Sequence, residues 1–123
     1  MDATGQSMRQ QEPDRRVTIK SEGRVVFLSL DEIDWVEASA NYIKVSVSGK
    51  LYRMREAIGR LAQRLDTRQF VRIHRSTIVN VHRIKALEPV NSGEYIVILR
   101  DGKELSCSRG YRDGLQPFIG KTL

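Results

Sequence analysis

Apolar positions along this chain fall mostly at every second residue, the period of a strand with one buried and one wet face. Ile43, Val45 and Val47 alternate with Lys44, Ser46 and Ser48 and make the cleanest such run. Val17 and Ile19 alternate with Thr18 and Lys20, Gly23-Arg24 can turn, and Val25 to Leu30 continues as a more buried strand, which predicts a hairpin. Ser29 and Glu32 have capping-box spacing, so a short helical turn is expected through Asp31-Glu32-Ile33. Asp34 to Ala38 returns to strand, Ser39-Ala40-Asn41 turns, and Gly49-Lys50 turns into Leu51 to Met54. Tyr95 to Leu99 is dense in β-branched residues. Asp101-Gly102 is a two-residue hairpin signal, with Lys103 to Ser108 as the return strand. Phe27, Trp35, Phe70 and Tyr95 are expected in the core.

One segment has helical period instead. Ile58, Leu61, Ala62 and Leu65 stand at i, i+3, i+4 and i+7, an apolar stripe in a charged run. Gly59 weakens that helix by about 1 kcal/mol relative to alanine without erasing the stripe. In the terminal segment, Gly110 and Gly114 argue against a stable helix. The sum is eight to ten short strands and one helix, a mostly β domain.

The stretch Phe70 to Asn80, FVRIHRSTIVN, sets the polar corner His74-Arg75-Ser76 between two apolar strands. From Thr67 to Leu87 there is no acidic residue, while Arg68, Arg72, Arg75, Arg83 and Lys85 all fall inside. Such one-sided charge suits an anionic partner, nucleic acid being the commonest. An exposed strand face with scattered arginines would read the same way. Two further corners follow strands: Asn41-Tyr42 with Lys44, and Ser108-Arg109-Gly110 with Arg112. Arg75 and Arg109 suit bidentate contact with guanine in the major groove, and Asn41 suits adenine. Ser76, Ser108 and backbone N–H groups suit phosphates, which position without specifying. Ordinary turn chemistry is the alternative for each corner, and it favours Asn41 as a plain turn residue. Tyr42 and Tyr111 suit packing better than stacking on bases.

Size and charge narrow the picture. At 123 residues the chain is one domain by size, with residues 1–16 read as a disordered tail or linker stub and 17–123 as the folded unit. Net charge is +6, from 21 basic against 15 acidic residues, which calls for a polyanion or an anionic membrane surface. No apolar run is long enough to span a membrane and no secretory signal is visible. Cys107 is the only cysteine, which fits a reducing cytoplasm. It reads as a small strand residue; a redox role would need nearby Arg109 to lower its pKa. His74 and His82 are the only histidines, without metal-ligand spacing or a nucleophile motif, and no glycine-rich phosphate loop occurs. No enzyme activity, cofactor or metal is expected. A metal-dependent nuclease using His74 is one rival. The others are an RNA or single-strand-binding β module, which would expose aromatic residues on a sheet face, and a protein-interaction module.

Four segments together resemble the LytTR family of bacterial DNA-binding domains: DEIDWVEASANYIKV (Asp31–Val45), REAIGRLAQRLD (Arg55–Asp66), FVRIHRSTIVNVHRI (Phe70–Ile84) and LRDGKELSCSRGYRDGL (Leu99–Leu115). The resemblance covers Val17 to Phe118, and the F-x-R-I-H-R-S-x-I-V-N run is its most specific piece. It implies about ten short strands in stacked small antiparallel sheets, a β-β-β sandwich with one short helix. It also implies that loops, rather than a recognition helix, enter successive major grooves of duplex DNA. The family's contact loops fall on Asn41–Lys44, on His74-Arg75-Ser76 and on Ser108-Arg109. Asn41, Arg75 and Arg109 would then touch bases, with Tyr42, Lys44, His74, Ser76, Ser108, Gly110 and Arg112 on the DNA backbone or in support. The resemblance further implies a cytoplasmic transcription regulator, two copies on direct repeats, and an upstream receiver or sensor.

Overall fold

A computed structural model describes residues 15–120. The tail expected over residues 1–16 lies outside them except for Arg15, which hydrogen-bonds to Gln69 Oε1 at 2.8 Å, and Arg16, which opens the first strand. Ten strands follow: β1 (Arg16–Ser21), β2 (Arg24–Ser29), β3 (Ile33–Ser39), β4 (Tyr42–Val47), β5 (Lys50–Met54), β6 (Phe70–His74), β7 (Thr77–Asn80), β8 (Ile84–Val90), β9 (Glu94–Leu99) and β10 (Glu104–Cys107). Two short α-helices join them, α1 (Ile58–Ala62) and α2 (Gln116–Ile119).

The strands form a β1-β2 hairpin, a three-stranded sheet in the order β10-β9-β8 and a five-stranded sheet in the order β5-β4-β3-β7-β6. The middle layer is the five-stranded sheet, because its two faces feed two separate cores. Val36, Ile43, Val45 and Ile78 face Val17, Ile19 and Leu28 of the hairpin and Ile58, Leu61 and Leu65 around α1. On the other face, Trp35, Val71, Ile73 and Val79 meet Val97, Leu99, Leu105, Cys107 and Leu115. Each fully buried aliphatic side chain contributes about 1.5–3 kcal/mol, so the two cores hold the middle sheet from both sides. Lys103 lies over the Trp35 ring, 4.6 Å from its centroid, and completes that cover.

Turn chemistry sets the register. Glu22-Gly23 and Ser48-Gly49 both have positive φ at each central residue, the two-residue turn whose twist matches its strands. Each turn sits one residue before its expected place. The third hairpin differs from the two-residue loop expected at Asp101-Gly102. Gly102 N donates to Leu99 O at 2.9 Å and Leu99 N to Lys103 O at 2.8 Å, a three-residue loop closed by Gly102 at φ +95°. Gly102 supplies the left-handed residue this longer loop requires and Asp101 Oδ1 accepts from Lys103 N at 3.0 Å, so the dipeptide alone does not distinguish the two.

Three other expectations change. The apolar stripe is buried from Ile58 to Leu65, yet regular helix covers only five residues. The N-terminal flank Ala57 offers no side-chain cap, and beyond Ala62 the chain tightens into i→i+3 bonds such as Arg64 N to Leu61 O at 2.9 Å. The terminal segment is helical after all: a 3-10 helix over Arg109–Leu115 leads into α2. Gly114 favours it by close approach, since a Cβ there would stand 3.3 Å from Val71 Cγ1. Phe27 is not in the core; it is 67% exposed, on the outer face of β2 beside Val25. Its neighbours Val26 and Leu28 took the inward face, and alternation leaves none for Phe27.

Two buried polar groups can be tested. Asn80 is 1% exposed; its Nδ2 donates to Ile33 O at 2.8 Å and its Oδ1 accepts from His82 N at 2.9 Å. Asn80→Ala should therefore lower the urea unfolding free energy by about 1–3 kcal/mol, the cost of leaving a buried carbonyl unpaired. Cys107 is fully buried, and burial raises its thiol pKa against the weaker opposing pull of Arg112, not Arg109. The folded chain thus keeps a proton that the unfolded chain releases first, so this group costs stability as pH rises above about 8.5, the ordinary thiol value. Alkylation of Cys107 by iodoacetamide should be limited by unfolding and become fast in denaturant. Rapid reaction in the native state would show an accessible thiol.

Candidate nucleic-acid interface

Strand pairing brings the polar corners to one end of the middle sheet. β3 pairs antiparallel with β7, with Glu37 opposite Thr77, so the end of β3 lies beside the start of β7. The Ala40-Asn41 turn and the Arg75-Ser76 turn therefore project the same way. With two strand spacings between their centres, they stand about 10 Å apart. Ala38 N donates to Ser76 O at 2.8 Å and ties the first corner to the second.

The third corner is attached through a β-bulge. β6 and β7 slip register between Arg72 and His74, which takes Ile73 out of the ladder. Its carbonyl accepts the N–H of Ser108 at 2.9 Å, while its side chain is fully buried in the second core. Bulges commonly re-aim side chains beside functional sites. Here the bulge places Ser108-Arg109 next to His74-Arg75-Ser76, and the 3-10 helix from Arg109 packs along β6.

Within the central corner, Ser76 N donates to His74 Nδ1 at 3.1 Å and Ser76 Oγ lies 2.9 Å from the same nitrogen. An Nδ1 that accepts puts the ring proton on Nε2. Arg72 donates from Nη2 to the carbonyl of Arg75. The backbone of this turn is thus held from both sides. Arg75 itself is exposed, with no side-chain hydrogen bond or ion pair among the described residues. Arg109 is also exposed; its Cδ and Cγ lie against Gly93, and neighbouring Arg112 donates from Nη1 to Gly93 O at 3.2 Å. Asn41 is exposed beside Ala40, which is held at φ +55°. A left-handed alanine costs on the order of 1 kcal/mol, a strain of the kind that gathers at functional turns. Tyr42, Lys44, His74, Ser76 and Ser108 are half-buried, whereas Gly110 and Arg112 are exposed. A Cβ at Gly110 would meet nothing within 4 Å.

The charge picture is narrower than the acid-free stretch implies. Arg68 pairs with Asp66 at 3.2 Å, a bond that lowers the Asp66 pKa and raises that of Arg68. Arg83 pairs with Asp34 at 2.9 Å, near the opposite end of the sheet. Only Arg72 and Arg75 of that stretch stand at the corner. Two cations that sequence reasoning passed over stand nearby: Arg53, opposite Lys44 in the pairing of β4 and β5, and Arg55 just beyond β5. Arg53 lies over the Tyr42 ring, 5.7 Å from its centroid. The two-residue turn at Ser48-Gly49 would have revealed the Lys44–Arg53 pairing; nothing in the sequence signals the role of Arg72. Glu37 sits opposite Lys44 on β3 and partly offsets this charge. Among the described residues no cluster of His, Cys, Asp and Glu could hold a metal ion, and no helix is long and apolar enough to cross a membrane.

Comparison with known proteins places this geometry. The sensory transduction protein LytT of Enterococcus faecalis is 26% identical over 104 residues, covering 85% of this chain and 43% of that protein. The transcriptional regulatory protein LytR of Staphylococcus aureus is 24% identical over 107 residues, 87% of this chain and 44% of that protein. The chain thus spans about two-fifths of the length of the curated relatives it matches. The solved structure of a LytTr DNA-binding domain from Bacillus cereus superposes with a TM-score of 0.76 at 22% identity, over 87% of this chain and 98% of that one. The family profile for the LytTr DNA-binding domain matches residues 23–120. With that profile spanning nine of the ten strands, all five of the middle sheet among them, the chain belongs to the LytTR family of DNA-binding domains.

Proposed function

We propose that this chain binds duplex DNA in a sequence-specific way as a transcription regulator or its DNA-binding part, its three corners entering the major groove side. Asn41, Arg75 and Arg109 contact base edges. Lys44, Ser76, Ser108, Gly110 and Arg112 meet the DNA backbone or, with Tyr42 and His74, hold the corners in shape. The observation that carries this reading is the joining of three corners at one end of a sheet by main-chain bonds, with Arg75 and Arg109 exposed at their tips and unpaired among the described residues. A guanidinium held on a rigid turn matches the O6 and N7 acceptors of guanine. Two copies would occupy direct repeats. A receiver or sensor region would act upstream, in keeping with relatives named for sensory transduction, and the work would be done in the cytoplasm, without catalysis.

One observation speaks for a single-strand reading: Phe27 is an exposed aromatic on a sheet face. It has no aromatic companion there. Its cross-strand partner is Thr18, and the next pairs on either side are Lys20 with Val25 and Arg16 with Ser29. Stacking platforms use successive aromatics, so duplex recognition is the better account.

Selection from a random duplex pool should yield a preferred site, and excess single strand should compete poorly for the chain. On that site Arg75→Ala and Arg109→Ala should each cost about 1–3 kcal/mol and relax preference at one position. Lys44→Ala should weaken all sequences alike and reduce the salt slope by about 1. Unchanged preference in the Arg75 variant would remove it as a base reader.

A further inference from the structure

The line of corners continues past Asn41. Met54, the last residue of β5, pairs with Ile43, so the chain leaving β5 emerges beside the Asn41-Tyr42 turn at the same end of the sheet. There Lys20, Glu22, Tyr42, Arg53, Met54 and Arg55 line a shallow groove of about 340 Å3. Three of its walls are cations, and Lys20, Arg53 and Arg55 are all exposed, with no side-chain hydrogen bond or ion pair to a described residue. Glu22 is the one carboxylate in the lining. The nearest further acid in sequence, Glu56, is already engaged by Arg64 Nη1 at 3.4 Å. Arg53 is not loose: its place over the Tyr42 ring couples it to the residue that follows Asn41.

We propose that this groove receives the sugar-phosphate backbone of the same duplex, on the flank beyond the base pair under Asn41. The inference rests on the duplex-binding reading above. Geometry favours it because the groove lies at the β5 edge, opposite the β6 edge that carries Arg109. Four strand spacings separate those edges, about 19 Å. Duplex rises about 3.4 Å per base pair, so the full line spans roughly six pairs, and the groove falls outside the pairs under the three corners. Chemistry favours it because two guanidiniums and an ammonium face a single carboxylate, Glu22, and the excess positive charge repels itself until phosphates arrive. Phosphate contacts of this kind add affinity and orientation but no sequence preference.

The test uses the intact chain and three duplexes: the minimal selected site, and that site lengthened by one helical turn on either side. Anisotropy titrations across salt concentrations are run with the parent, R53Q/R55Q and, as a remote control, K85Q. The parent should bind tighter when one flank is added and gain nothing from the other. R53Q/R55Q should lose that gain, with a salt slope lower by roughly 2 on the lengthened duplex, which makes its affinity loss between 50 and 200 mM salt about tenfold smaller. Its preference at the base position read by Arg75 should match the parent, and K85Q should leave affinity, flank gain and salt slope unchanged. Three results would overturn the proposal: equal gain from both flanks, no gain from either, or a slope change as large on the minimal duplex. If R75A relaxes base preference while R53Q/R55Q behaves as the parent, only the groove fails. If the parent shows no preferred site, the duplex reading fails with it.

Discussion

The hydrogen bond from Ser108 N to Ile73 O is the interaction on which the arrangement at this end of the molecule depends. It is a main-chain bond from the end of β10 to β6, between the three-stranded and the five-stranded sheet. It exists because the bulge at Ile73 releases a carbonyl that a regular β6-β7 ladder would have used. Together with the bond from Ala38 N to Ser76 O, it makes three turns from three separate hairpin or strand ends into one unit. Main-chain bonds suit this task because they spend no side chain. Arg75, Arg109 and Asn41 stay exposed while the backbone under them is fixed.

The rest of the fold can be understood as what keeps that bulge in place. Ile73 is fully buried among Val97, Leu99, Leu105, Cys107 and Leu115, so the side chain of the bulged residue anchors in one core while its carbonyl points to Ser108. Arg72, its neighbour, points the other way, donates to the Arg75 carbonyl and lies near Gly59 of α1. Alternation at a bulge thus ties the central corner to both covering layers. This explains a feature of composition that otherwise looks wasteful. A domain with two small cores on either face of one sheet has less shared hydrophobic volume than one large core, but it clamps the middle sheet from both sides.

Most of the architecture was legible because two-residue turns fix register by arithmetic. Ala40-Asn41 forces Ser39 to face Tyr42, whereas the turn expected at Gly49-Lys50 falls at Ser48-Gly49, and that shift of one residue sets Lys44 opposite Arg53. Strand alternation then assigned nearly every inward residue. Phe27 is the exception, an aromatic side chain at an outward position of β2. The apolar stripe of Ile58 to Leu65 was legible as burial but not as helix length, since a missing N-cap and i→i+3 bonds leave no trace in periodicity. The acid-free stretch misled in a different way. Asp66 lies two residues before Arg68, just outside it, and Asp34 is remote from Arg83 in sequence, yet both pair across space. The corner residues themselves were legible as exposed polar turns. The bond network that unites them was not, because a bulge has no reliable sequence mark.

The proposed reading of DNA with turns carries a limit. A recognition helix can present three or four side chains to base edges along one face. Each turn here presents one: the Arg75-Ser76 turn offers Arg75 outward, while His74 and Ser76 are occupied with each other. A good bidentate pair discriminates by about 1–3 kcal/mol. On the proposed reading three such contacts give about 3–9 kcal/mol, against the roughly 4–10 kcal/mol that separates specific from non-specific binding. One copy therefore sits at the lower edge of useful specificity, and more so because Asn41 stands on a strained turn. Two copies on repeated sites lift the sum well above that edge without any new contact between them. On the proposed reading, a pairing of copies would follow from reading with turns, and from the single free side chain that each turn can hold out.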